Sequence, residues 1–472
     1  MIIMYSCWLL MHRCAARDMS EPEHLRRLRR AIVARKATIG VFGAGYVGLP
    51  LACAFAEARF RTIAGDKDLA KIRAIRQGRS YVEDDYVRRR LPSLIKSGAL
   101  RAEEDADHLA LLADVTMVTV PTPLNDRKEP DLSSVVSVTE TIAKQLRPGK
   151  LFVLESSVYP GATDEVVKPI LERGGLRAGQ DFCLAHSPER IDYNNPKHSI
   201  LKIPKVVGGA TPLCTKIACE LYSKVLDAQV VPVSSIRTAE ATKMLENAYR
   251  YVNIALVNEL AILHEKLGID FFEVVAAAST KPFGFQPFYP GPGVGGHCIP
   301  KDPHYLSYAA RQVGLDLRLL ELSAEINDGM VMHIVDRLKT ALAAQGKSLQ
   351  GSKVALLGLA FKADVSDSRR SPSIALANHL ADLGAELSVY DPLVRGTPTG
   401  DRNLISATDL ETAVENAEVL ILATPHTAFR QIDLKRISKR MQPEATVVDT
   451  RGFWTPAECK SAGLRYIGLG RP

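Results

Sequence analysis

The sequence predicts an α/β protein with two Rossmann-like, doubly wound domains joined by a long central helix. Short apolar runs alternate with helical segments in both halves of the chain, which is typical of parallel sheets covered by helices. A glycine-rich turn, GAGYVG at residues 43–48, follows the first apolar run. Between the two halves, Ile236–Leu267 contains no glycine or proline and has apolar residues at helical spacing, which predicts one long helix.

The composition is that of a globular protein and excludes several classes of function. At 472 residues the chain is too long for one hydrophobic core, so two or three domains are expected. The formal net charge of +7 is small for this length and spread along the sequence, which does not indicate a nucleic-acid-binding protein. Residues 1–10 are apolar but too few to cross a bilayer, and no other run is long enough, so no membrane partner is expected.

The eight cysteines show no CxxC pair and no zinc-like spacing. Reduced thiols in the cytoplasm are therefore expected, with no metal site. Residues 1–36 would be an N-terminal extension that could be disordered, within which the basic residues 26–36 predict a solvated helix.

The first half begins with the elements of a dinucleotide-binding βαβ unit. The apolar run Thr38–Phe42 predicts a buried strand, the glycine turn follows it, and residues 49–57 predict a helix. The next predicted strand, Arg61–Gly65, ends at Asp66, eighteen residues after Gly48. The three glycines allow a tight turn and the close approach of a pyrophosphate, and the acid can bind ribose hydroxyls. This order of elements favours a dinucleotide site over an ordinary glycine-rich turn.

Three further predicted strands end in polar residues. Residues 115–120 lead into Pro-Thr-Pro at 121–123, and Leu151–Leu154 leads into Glu-Ser-Ser at 155–157. Residues 182–185 precede Ser-Pro-Glu-Arg at 187–190, where Glu189 is either an exposed acid or a site residue. Open α/β sheets bind ligands at the carboxyl ends of their strands, so these segments are candidate site regions.

The second half repeats this architecture after the long helix. Residues 319–344 predict another helix, and strands are predicted at 353–359, Glu386–Tyr390, 419–423 and 446–448. The first of these strands is followed by a turn that lacks the third glycine of the fingerprint, so a second dinucleotide is not expected there.

The segment GGHCIPKD at residues 295–302 is the candidate centre for covalent chemistry. A cysteine is a nucleophile as the thiolate, and a nearby cation such as Lys301 favours that form. The two glycines allow a ligand to approach closely, and Asp302 could position water or accept a proton. A buried structural cysteine is the usual alternative. The upstream fingerprint favours a catalytic Cys298, since a nicotinamide cofactor beside a cysteine suggests oxidation through a thioester.

On the predicted long helix, Lys243 and Asn247 are four residues apart and project from one face. Such a pair usually lies on a solvated face, and Glu240, Glu246 and Arg250 could equally form that side. The spacing alone leaves both interpretations open.

Taken together, these segments resemble the UDP-glucose/GDP-mannose dehydrogenase family of nucleotide-sugar 6-dehydrogenases. The resemblance extends from about residue 37 to residue 471, and so many motifs in one order are highly specific. The motifs are GAGYVGLP at 43–50, VPTP at 120–123, ESSVYPG at 155–161, SPER at 187–190, EATKMLENAYRYVNIALVNELA at 240–261, GPGVGGHCIPKDP at 291–303 and GLAFKADVSDSRRSP at 358–372.

The resemblance implies a set of catalytic residues. Cys298 matches the family's nucleophile, which attacks the C6 aldehyde and later carries the thioester. Lys243 and Asn247 match residues that hold the oxyanion, a role suited to a preorganised cation and amide. Asp302 matches the acid implicated in activating water, and Glu189 matches a glutamate of the substrate and proton-transfer region.

The resemblance also implies NAD as the cofactor, with Asp66 holding the adenosine ribose and thereby favouring NAD over NADP. Ser157 stands where the family often has threonine, and its hydroxyl could still position water. The implied cofactor-binding residues are Gly43, Gly45, Tyr46, Val47, Gly48, Asp66, Lys71, Thr122, Lys301 and Arg369. The implied substrate-binding residues are Glu189, Arg190, Lys243, Asn247, Gly295 and Lys362.

The SPER segment indicates one branch of the family. The glucose and mannose branches typically read SPEFLREG, whereas here Arg190 follows Glu189 and Tyr193 replaces the second glutamate. Together with GPGVGGHC, this is similar to the branch that oxidises UDP-GlcNAc or UDP-ManNAc to the uronic acid of surface polysaccharides. We therefore expect an NAD-dependent, four-electron oxidation of a UDP-N-acetylhexosamine at C6. UDP-glucose 6-dehydrogenase and a non-catalytic nucleotide-sugar-binding protein are the alternatives.

The expected domains follow from the motifs and their order. Residues 37–235 would form an NAD-binding Rossmann-like domain, 236–345 a central helical dimerisation region with the cysteine loop, and 346–472 a C-terminal Rossmann-like UDP-sugar-binding domain. The predicted central helix is apolar on more than one face, so we expect a homodimer or higher homo-oligomer.

Overall fold

The computed structural model describes residues 21–192, 199–396 and 404–472. The chain forms two compact units, the first ending at Met244 and the second beginning at Leu245. Within these described ranges, no helix combines the length and the hydrophobicity that crossing a membrane requires.

The first unit is built around an eight-stranded sheet in the order β3-β2-β1-β4-β5-β6-β7-β8. The first six strands are parallel, whereas β7 runs antiparallel to β6 and parallel to β8. The order reverses between β1 and β4, and doubly wound sheets bind ligands at that point, beyond the carboxyl ends of the strands. The strands are Thr38–Phe42 (β1), Arg61–Gly65 (β2), Leu100–Glu103 (β3), Val115–Val118 (β4), Leu151–Leu154 (β5), Cys183–His186 (β6), Lys205–Gly209 (β7) and Val230–Pro232 (β8).

Helices cover both faces of this sheet, which explains why β1, β4, β5 and β6 are buried along their whole length. A π-helical turn at Thr163–Val167 and a 3₁₀ turn at Ile200–Lys202 complete the connections. The α-helices are Glu23–Val33, Gly48–Glu57, Leu69–Arg76, Asp85–Lys96, Ala106–Leu112, Ser133–Lys144, Lys168–Glu172 and Pro212–Tyr222, followed by the start of Ile236–Leu267.

The helix Glu23–Val33 packs on the first unit, which differs from the predicted N-terminal extension. Its apolar residues Leu25, Leu28 and Ile32 lie on one face and are buried in the core of the first unit. Arg29 also forms a 2.6 Å ion pair with Glu220 on the helix Pro212–Tyr222. Residues 21–36 are therefore part of the folded unit and not a solvated extension, because the basic residues cover one side of an amphipathic helix. Residues 1–20 lie outside the described residues.

The second unit contains a six-stranded parallel sheet in the order β11-β10-β9-β12-β13-β14, which reverses between β9 and β12. The strands are Lys353–Leu357 (β9), Glu386–Tyr390 (β10), Leu404–Ser406 (β11), Val419–Leu422 (β12), Thr446–Asp449 (β13) and Arg465–Gly468 (β14). The helices are the rest of Ile236–Leu267, Phe271–Ala278, Asp302–Gln312, Arg318–Ala343, Pro372–Asp382, Leu410–Val414, Leu434–Ser438 and Pro456–Ser461, with a 3₁₀ turn at Thr427–Gln431. Two doubly wound α/β domains and a long helix are thus confirmed.

Glu265, near the end of the central helix Ile236–Leu267, ties three parts of the second unit together. Its carboxylate pairs with His333 and with Arg337, both at 2.8 Å, on the helix Arg318–Ala343. It also accepts a hydrogen bond from the amide of Gly470 at 2.7 Å. The central helix, the second long helix and the C-terminus are held by this one buried carboxylate.

The predicted element bounds agree closely, with two informative differences. The central helix, β1, β2, β5 and β10 have the predicted ends. The predicted strand 115–120 ends at Val118. The next residue, Thr119, faces the glycine turn, and its hydroxyl donates a hydrogen bond to the carbonyl oxygen of Gly43 at 2.7 Å. The predicted strand 353–359 ends at Leu357, because Gly358 has a φ of +88°.

Truncating the buried face of the N-terminal helix tests its place in the core. We expect Leu28→Ala to lower the free energy of unfolding by about 2–5 kcal/mol, since it removes a fully packed side chain and leaves a cavity. Val33→Ala, at a half-exposed site on the same helix, should change it by less than about 0.5 kcal/mol. Denaturant unfolding of both variants measures this, and equal stability of both would show that the helix does not contribute to the core.

Candidate active site

The glycine turn between β1 and the helix Gly48–Glu57 has the shape that a dinucleotide site needs. Gly43 has a φ of +96°, and a side chain there would lie 3.0 Å from the backbone oxygen of Thr119. A side chain on Gly48 would overlap the carbonyl oxygen of Gly43, so the helix begins directly against the turn. A Cβ on Gly45 would have nothing within 4 Å, which leaves room for a pyrophosphate to approach the backbone. Gly45, Tyr46 and Val47 are accessible, and Ala44 and Gly48 are buried.

Asp66 follows β2 and is anchored to this turn. Its carboxylate accepts hydrogen bonds from the amides of Ala44 at 3.0 Å and Asp68 at 2.9 Å. It also forms a 3.1 Å ion pair with Lys71, another predicted cofactor residue. The carboxylate of Asp66 is therefore anchored beside the open part of the glycine turn, which is compatible with the predicted ribose-binding role.

The ends of β4 and β5 are tied to each other beside the turn. The hydroxyl of Thr122 donates to the backbone oxygen of Ser157 at 2.7 Å, and that of Ser156 donates to the oxygen of Val120 at 2.7 Å. The structure therefore brings the predicted cofactor residue Thr122 to the predicted water-positioning residue Ser157. Both lie at the carboxyl edge of the sheet, where the strand order reverses.

Glu189 is buried in a cluster of charged residues that the sequence analysis did not predict. Its carboxylate accepts the amides of Arg190 at 2.7 Å and Ile191 at 2.8 Å. Lys205 lies 2.9 Å from Glu189 and 2.7 Å from Glu155, and the hydroxyl of Tyr222 donates to Glu155. No local pattern could have revealed this cluster, because Lys205 and Tyr222 are 50 and 67 residues away from Glu155. The side chain of Arg190 donates to the oxygen of Pro204 at 2.8 Å, and Tyr193 lies outside the described residues.

Burial and ion pairing shift the pKa values of Glu155 and Glu189 in opposite directions. Burial raises the pKa of Glu155. Burial also opposes ionisation of Glu189, but the ammonium of Lys205, together with Lys243 and the amide of Arg190, holds the pKa of Glu189 below its ordinary value. Burial, with Lys243 and Lys205 nearby, lowers the pKa of His186 to about 3, so this histidine is neutral at physiological pH. Glu189 is therefore an ionised, fixed carboxylate.

One face of the start of the central helix is buried, and it carries Glu240 and Lys243. Lys243 is buried, which rules out the interpretation of its face as a wet surface. Glu240 is also buried and accepts hydrogen bonds from the amides of Gly161 at 2.6 Å and Thr163 at 2.9 Å. Burial raises the pKa of Glu240 to about 7. Glu240 thus fixes the loop that follows Ser157 against the helix that carries Lys243.

In the second unit, Cys298 lies in the turn that begins the helix Asp302–Gln312. Its carbonyl oxygen accepts the amides of Lys301 at 3.0 Å and Asp302 at 2.9 Å. The carboxylate of Asp302 is buried, accepts a 2.6 Å hydrogen bond from the amide of Asn247 and forms a 2.8 Å ion pair with Lys301. Three residues predicted to be catalytic, Cys298, Asp302 and Asn247, are therefore brought together with Lys301.

The cysteine loop packs closely against the segment 361–372, and glycine in the loop allows this close approach. A side chain on Gly295 would lie 2.6 Å from Pro372 and 2.9 Å from Phe361, so this position requires glycine. Phe361 directly precedes the predicted substrate residue Lys362, which is half-buried. At the other end of the loop, the amide of Gly291 donates to Asn258 of the central helix at 3.0 Å. Gly295 and Lys362 thus lie in contacting segments, as a shared substrate-binding role requires.

Two further residues of these segments are His297, in the cysteine loop, and Arg369, in the segment 361–372. Burial, followed by Lys301 and Arg369, lowers the pKa of His297 to about 4, so His297 is neutral beside Cys298 at physiological pH. Arg369, predicted near the cofactor phosphates, forms a bidentate ion pair with Asp367 at distances of 2.6–3.1 Å. Its guanidinium is half-exposed, so it keeps one side toward solvent.

The second domain also has a glycine turn followed by an aspartate, but the surroundings of this aspartate differ from those of Asp66. Asp391 follows β10 as Asp66 follows β2, and it accepts the amides of Leu359 at 2.6 Å and Ala360 at 3.0 Å. It also lies 3.0 Å from His426, and its side chain is completely buried. Burial opposes ionisation, but the hydrogen bond from His426 lowers the pKa of Asp391 to about 2. This carboxylate is enclosed by protein groups, so it has a structural role in place of ribose binding.

Three family models match consecutive parts of the chain. The NAD binding domain of the UDP-glucose/GDP-mannose dehydrogenase family matches residues 37–226, its central domain matches 237–329 and its UDP binding domain matches 355–456. The glycine turn and Asp66 lie in the first match, the cysteine loop in the second, and Lys362 and Arg369 in the third.

Characterised relatives match over nearly their full length. The chain is 36% identical to the UDP-N-acetyl-D-glucosamine 6-dehydrogenase of Pseudomonas aeruginosa, covering 88% of this chain and 96% of the relative. It is 34% identical to the UDP-N-acetyl-D-mannosamine dehydrogenase of Yersinia pestis, covering 88% and 99%. The solved structure of the UDP-D-ManNAc dehydrogenase from Pyrococcus horikoshii has a TM-score of 0.85 at 31% identity, covering 92% of this chain and 99% of that one. The chain belongs to the UDP-glucose/GDP-mannose dehydrogenase family.

Proposed function

We propose that this protein is an NAD-dependent nucleotide-sugar 6-dehydrogenase that oxidises the C6 hydroxyl of a UDP-N-acetylhexosamine to the uronic acid. The observation that carries the proposal is Cys298 beside a buried group of Lys301, Asp302 and Asn247 in a chain with an NAD-binding domain. A dehydrogenase that stops at the aldehyde has no need of a nucleophilic thiol, whereas oxidation to the acid does. The named activities of the two relatives support an N-acetylhexosamine, in either the gluco or the manno form.

In this reaction NAD would be held by the Gly43–Gly48 turn and Asp66, and it supplies the acceptor for the hydride removed from C6 in each oxidation. The thiolate of Cys298 adds to the C6 aldehyde to form a thiohemiacetal, and the second oxidation converts this to a thioester. Water then adds to C6, the C6–Sγ bond breaks, and the thiolate of Cys298 is regenerated. The product is a UDP-linked uronic acid, the building block of surface polysaccharides that the family resemblance implies.

The other residues receive roles that fit their observed surroundings. Lys243 and Asn247 would stabilise the negative charge on the C6 oxygen, and the bond from Asn247 to Asp302 would hold the amide in place. Asp302 would orient the attacking water, assisted by Ser157. Glu189 is an ionised carboxylate at a strand end, which suits a proton-accepting role.

Substrate binding divides between the sugar end and the nucleotide end. Glu189 and Arg190 would contact the sugar, and the branch-specific arginine is the feature that sets this chain apart from the glucose and mannose branches. Gly295 and Lys362 would hold the UDP part, in keeping with the UDP binding domain at residues 355–456. Lys301 and Arg369 would lie near the cofactor phosphates.

We also propose the wider organisation. The NAD-binding domain would extend to residue 235 and begin with the helix Glu23–Val33, residues 236–345 would form the central region, and residues 346–472 would form the UDP-sugar-binding domain. The protein would act in the cytoplasm, where its free cysteines stay reduced. An exposed apolar stripe on the central helix supports a homodimer, with residues at spacings of four and seven that fall on one face: Leu245, Tyr249, Leu256 and Leu263.

The stoichiometry of the reaction and the Cys298 variants test the mechanism. Purified enzyme with UDP-GlcNAc or UDP-ManNAc should form two NADH per uronate, because the enzyme-bound aldehyde is oxidised before release. Cys298→Ala should lower kcat by at least about 10³-fold, as expected for the loss of a nucleophile. Dissociation constants for NAD and the UDP-sugar, measured by calorimetry, should change little. Cys298→Ser should also be nearly inactive, since a hydroxyl is a much weaker nucleophile at neutral pH.

Cys219 provides the matched control, since it is a partly buried cysteine like Cys298. Cys219→Ala should keep wild-type kcat. One NADH per turnover with release of free aldehyde would contradict the thioester route.

Cofactor choice should depend on the charge of Asp66. We expect NAD to be preferred over NADP in kcat/KM, because the carboxylate accepts hydrogen bonds from ribose hydroxyls and repels a 2′-phosphate. Asp66→Asn keeps an oxygen for the amide of Ala44 but removes the charge, so the preference for NAD should fall about tenfold or more, or ~1.4 kcal/mol. Asp68→Asn is the control, since asparagine also caps the helix Leu69–Arg76. An unchanged NAD:NADP ratio in Asp66→Asn would remove Asp66 from cofactor selection.

The exposed stripe of the central helix should mediate dimerisation. Light scattering should give about twice the chain mass of 51.6 kDa at micromolar concentration. Leu256→Arg should shift the protein toward the monomer, because it places a charge in an apolar interface. Leu111→Arg, at an exposed helix end of the first unit, should remain dimeric. A single-chain mass for the fully active wild type would contradict the dimer.

A further inference from the structure

Lys205 is a buried lysine that bridges two buried carboxylates of the first unit. Its ammonium lies 2.7 Å from Glu155 and 2.9 Å from Glu189, and all three side chains are at most 8% exposed. The hydroxyl of Tyr222 donates to the second oxygen of Glu155, and the ammonium lies 5.4 Å from the centre of the Tyr222 ring. The roles inherited from the family include Glu189 but assign nothing to Lys205, Glu155 or Tyr222.

The reversed strand β7 places this lysine in the site. Glu155 follows β5 and Glu189 lies three residues after β6, so both are at the carboxyl edge of the sheet. A further parallel strand would bring only its own carboxyl end to that edge. Because β7 runs antiparallel to β6, its first residue, Lys205, arrives there instead. The one change of strand direction in the described sheet thus brings a cation to two strand-end carboxylates.

The contacts of Glu189 leave its carboxylate little freedom. One oxygen accepts two backbone amides, those of Arg190 and Ile191, which satisfies both of its lone pairs. The other oxygen accepts the ammonium of Lys205. Among the contacts in the described residues, one lone pair of that second oxygen remains, and its direction is set by Lys205. Glu189 can therefore offer a single, oriented acceptor position.

The charges of the cluster make Lys205 the group that keeps Glu189 ionised. Two carboxylates share one ammonium in a buried site, where an unpaired carboxylate would take up a proton. Burial opposes the charge of Lys205, but its two carboxylate partners outweigh this and raise its pKa, so it stays protonated. The other charged or titratable groups facing Glu189 are Lys243, which also favours the ionised form, and Glu155 and Tyr222, which do not.

We infer that Lys205 is a positioning residue, which keeps Glu189 ionised and oriented at neutral pH, while Glu155 and Tyr222 hold Lys205 in place. The catalytic consequence rests on the proposed function, in which the ionised Glu189 accepts a proton; protonated Glu189 cannot. The ionisation of Glu189 itself does not depend on turnover and can be measured without it.

Removing the ammonium is the first arm of the experiment. Lys205→Met keeps the length of the side chain and removes its charge, so Glu189 should take up a proton at a higher pH. The acidic limb of the kcat–pH profile should move up by at least one unit, so that the loss of kcat is about tenfold on the acidic limb and disappears as the pH rises above the shifted pKa. KM for NAD should change less than twofold. Lys205→Arg should restore most of the profile, and Lys202→Met, an exposed lysine three residues earlier, should match the wild type.

Removing the competing carboxylate is the second arm, and here no rise in the pKa of Glu189 is expected. Glu155→Gln takes a negative charge away from the neighbourhood of Glu189, so the pKa of Glu189 should stay the same or fall. A purely structural cluster would lose activity equally at all pH values in both variants and show no shift of the acidic limb in Lys205→Met. Melting temperatures of all variants identify any loss of folding, and Glu155→Gln and Lys205→Arg still decide the question if Lys205→Met does not fold.

The ionisation of Glu189 is read directly by ¹³C NMR of protein labelled at the glutamate carboxyl carbon, with the resonance assigned from Glu189→Gln. We expect the pKa of Glu189 to be at least one unit higher in Lys205→Met than in the wild type. An unchanged pKa in Lys205→Met, or a rise in Glu155→Gln of the same size, would overturn it. If the wild type oxidises no UDP-sugar, the proposed function fails while this titration still decides the role of Lys205.

Discussion

The chemistry of this protein depends on one constraint, which is that its parallel strands are buried on both faces. Side chains along β1, β4, β5 and β6 are therefore mostly apolar or small, and charged groups are found only beyond the ends of these strands. Asp66, Thr122, Ser157 and Glu189 all follow strand ends at the carboxyl edge of the first sheet. The position of the candidate site is thus a consequence of the sheet, and its chemistry is a consequence of the few residues beyond it.

Burial of charge at these edges is compensated by specific pairing. Lys205 lies between Glu155 and Glu189, and in the second unit Lys301 pairs with Asp302. A buried pair contributes little net stability, because the loss of hydration offsets much of the attraction, and leaving either partner alone is costly. These pairs instead fix the orientation and the ionisation state of the buried carboxylates. They hold a carboxylate or an amide in one place and in one form before any substrate is bound.

The two glycine turns show how the same local design acquires different uses. In both domains an acid after the second strand accepts backbone amides of the turn, at Asp66 in the first and Asp391 in the second. Asp66 keeps a partly accessible carboxylate beside the open face of Gly45. Asp391 is enclosed by His426, and its turn lies directly against Thr424, where a side chain on Gly358 would lie 2.5 Å away. The difference comes both from the second turn, which lacks the third glycine of the fingerprint, and from the groups that pack on it.

The sequence by itself determined the fold class, the strand and helix order, the dinucleotide turn and the cysteine loop, because each is encoded by residues close together in the chain. The central helix Ile236–Leu267 was predictable to its ends, since nothing in it breaks a helix and Gly268 follows it. Only the tertiary structure decided that Lys243 is buried, that helix Glu23–Val33 belongs to the core, and that Lys205 and Tyr222 reach Glu155 from 50 and 67 residues away. The helix Glu23–Val33 does have a local pattern, in the spacing of Leu25, Leu28 and Ile32. The other outcomes depend on which surfaces pack together in the folded chain and on the reversed direction of β7, and these leave no periodic or local pattern in the sequence.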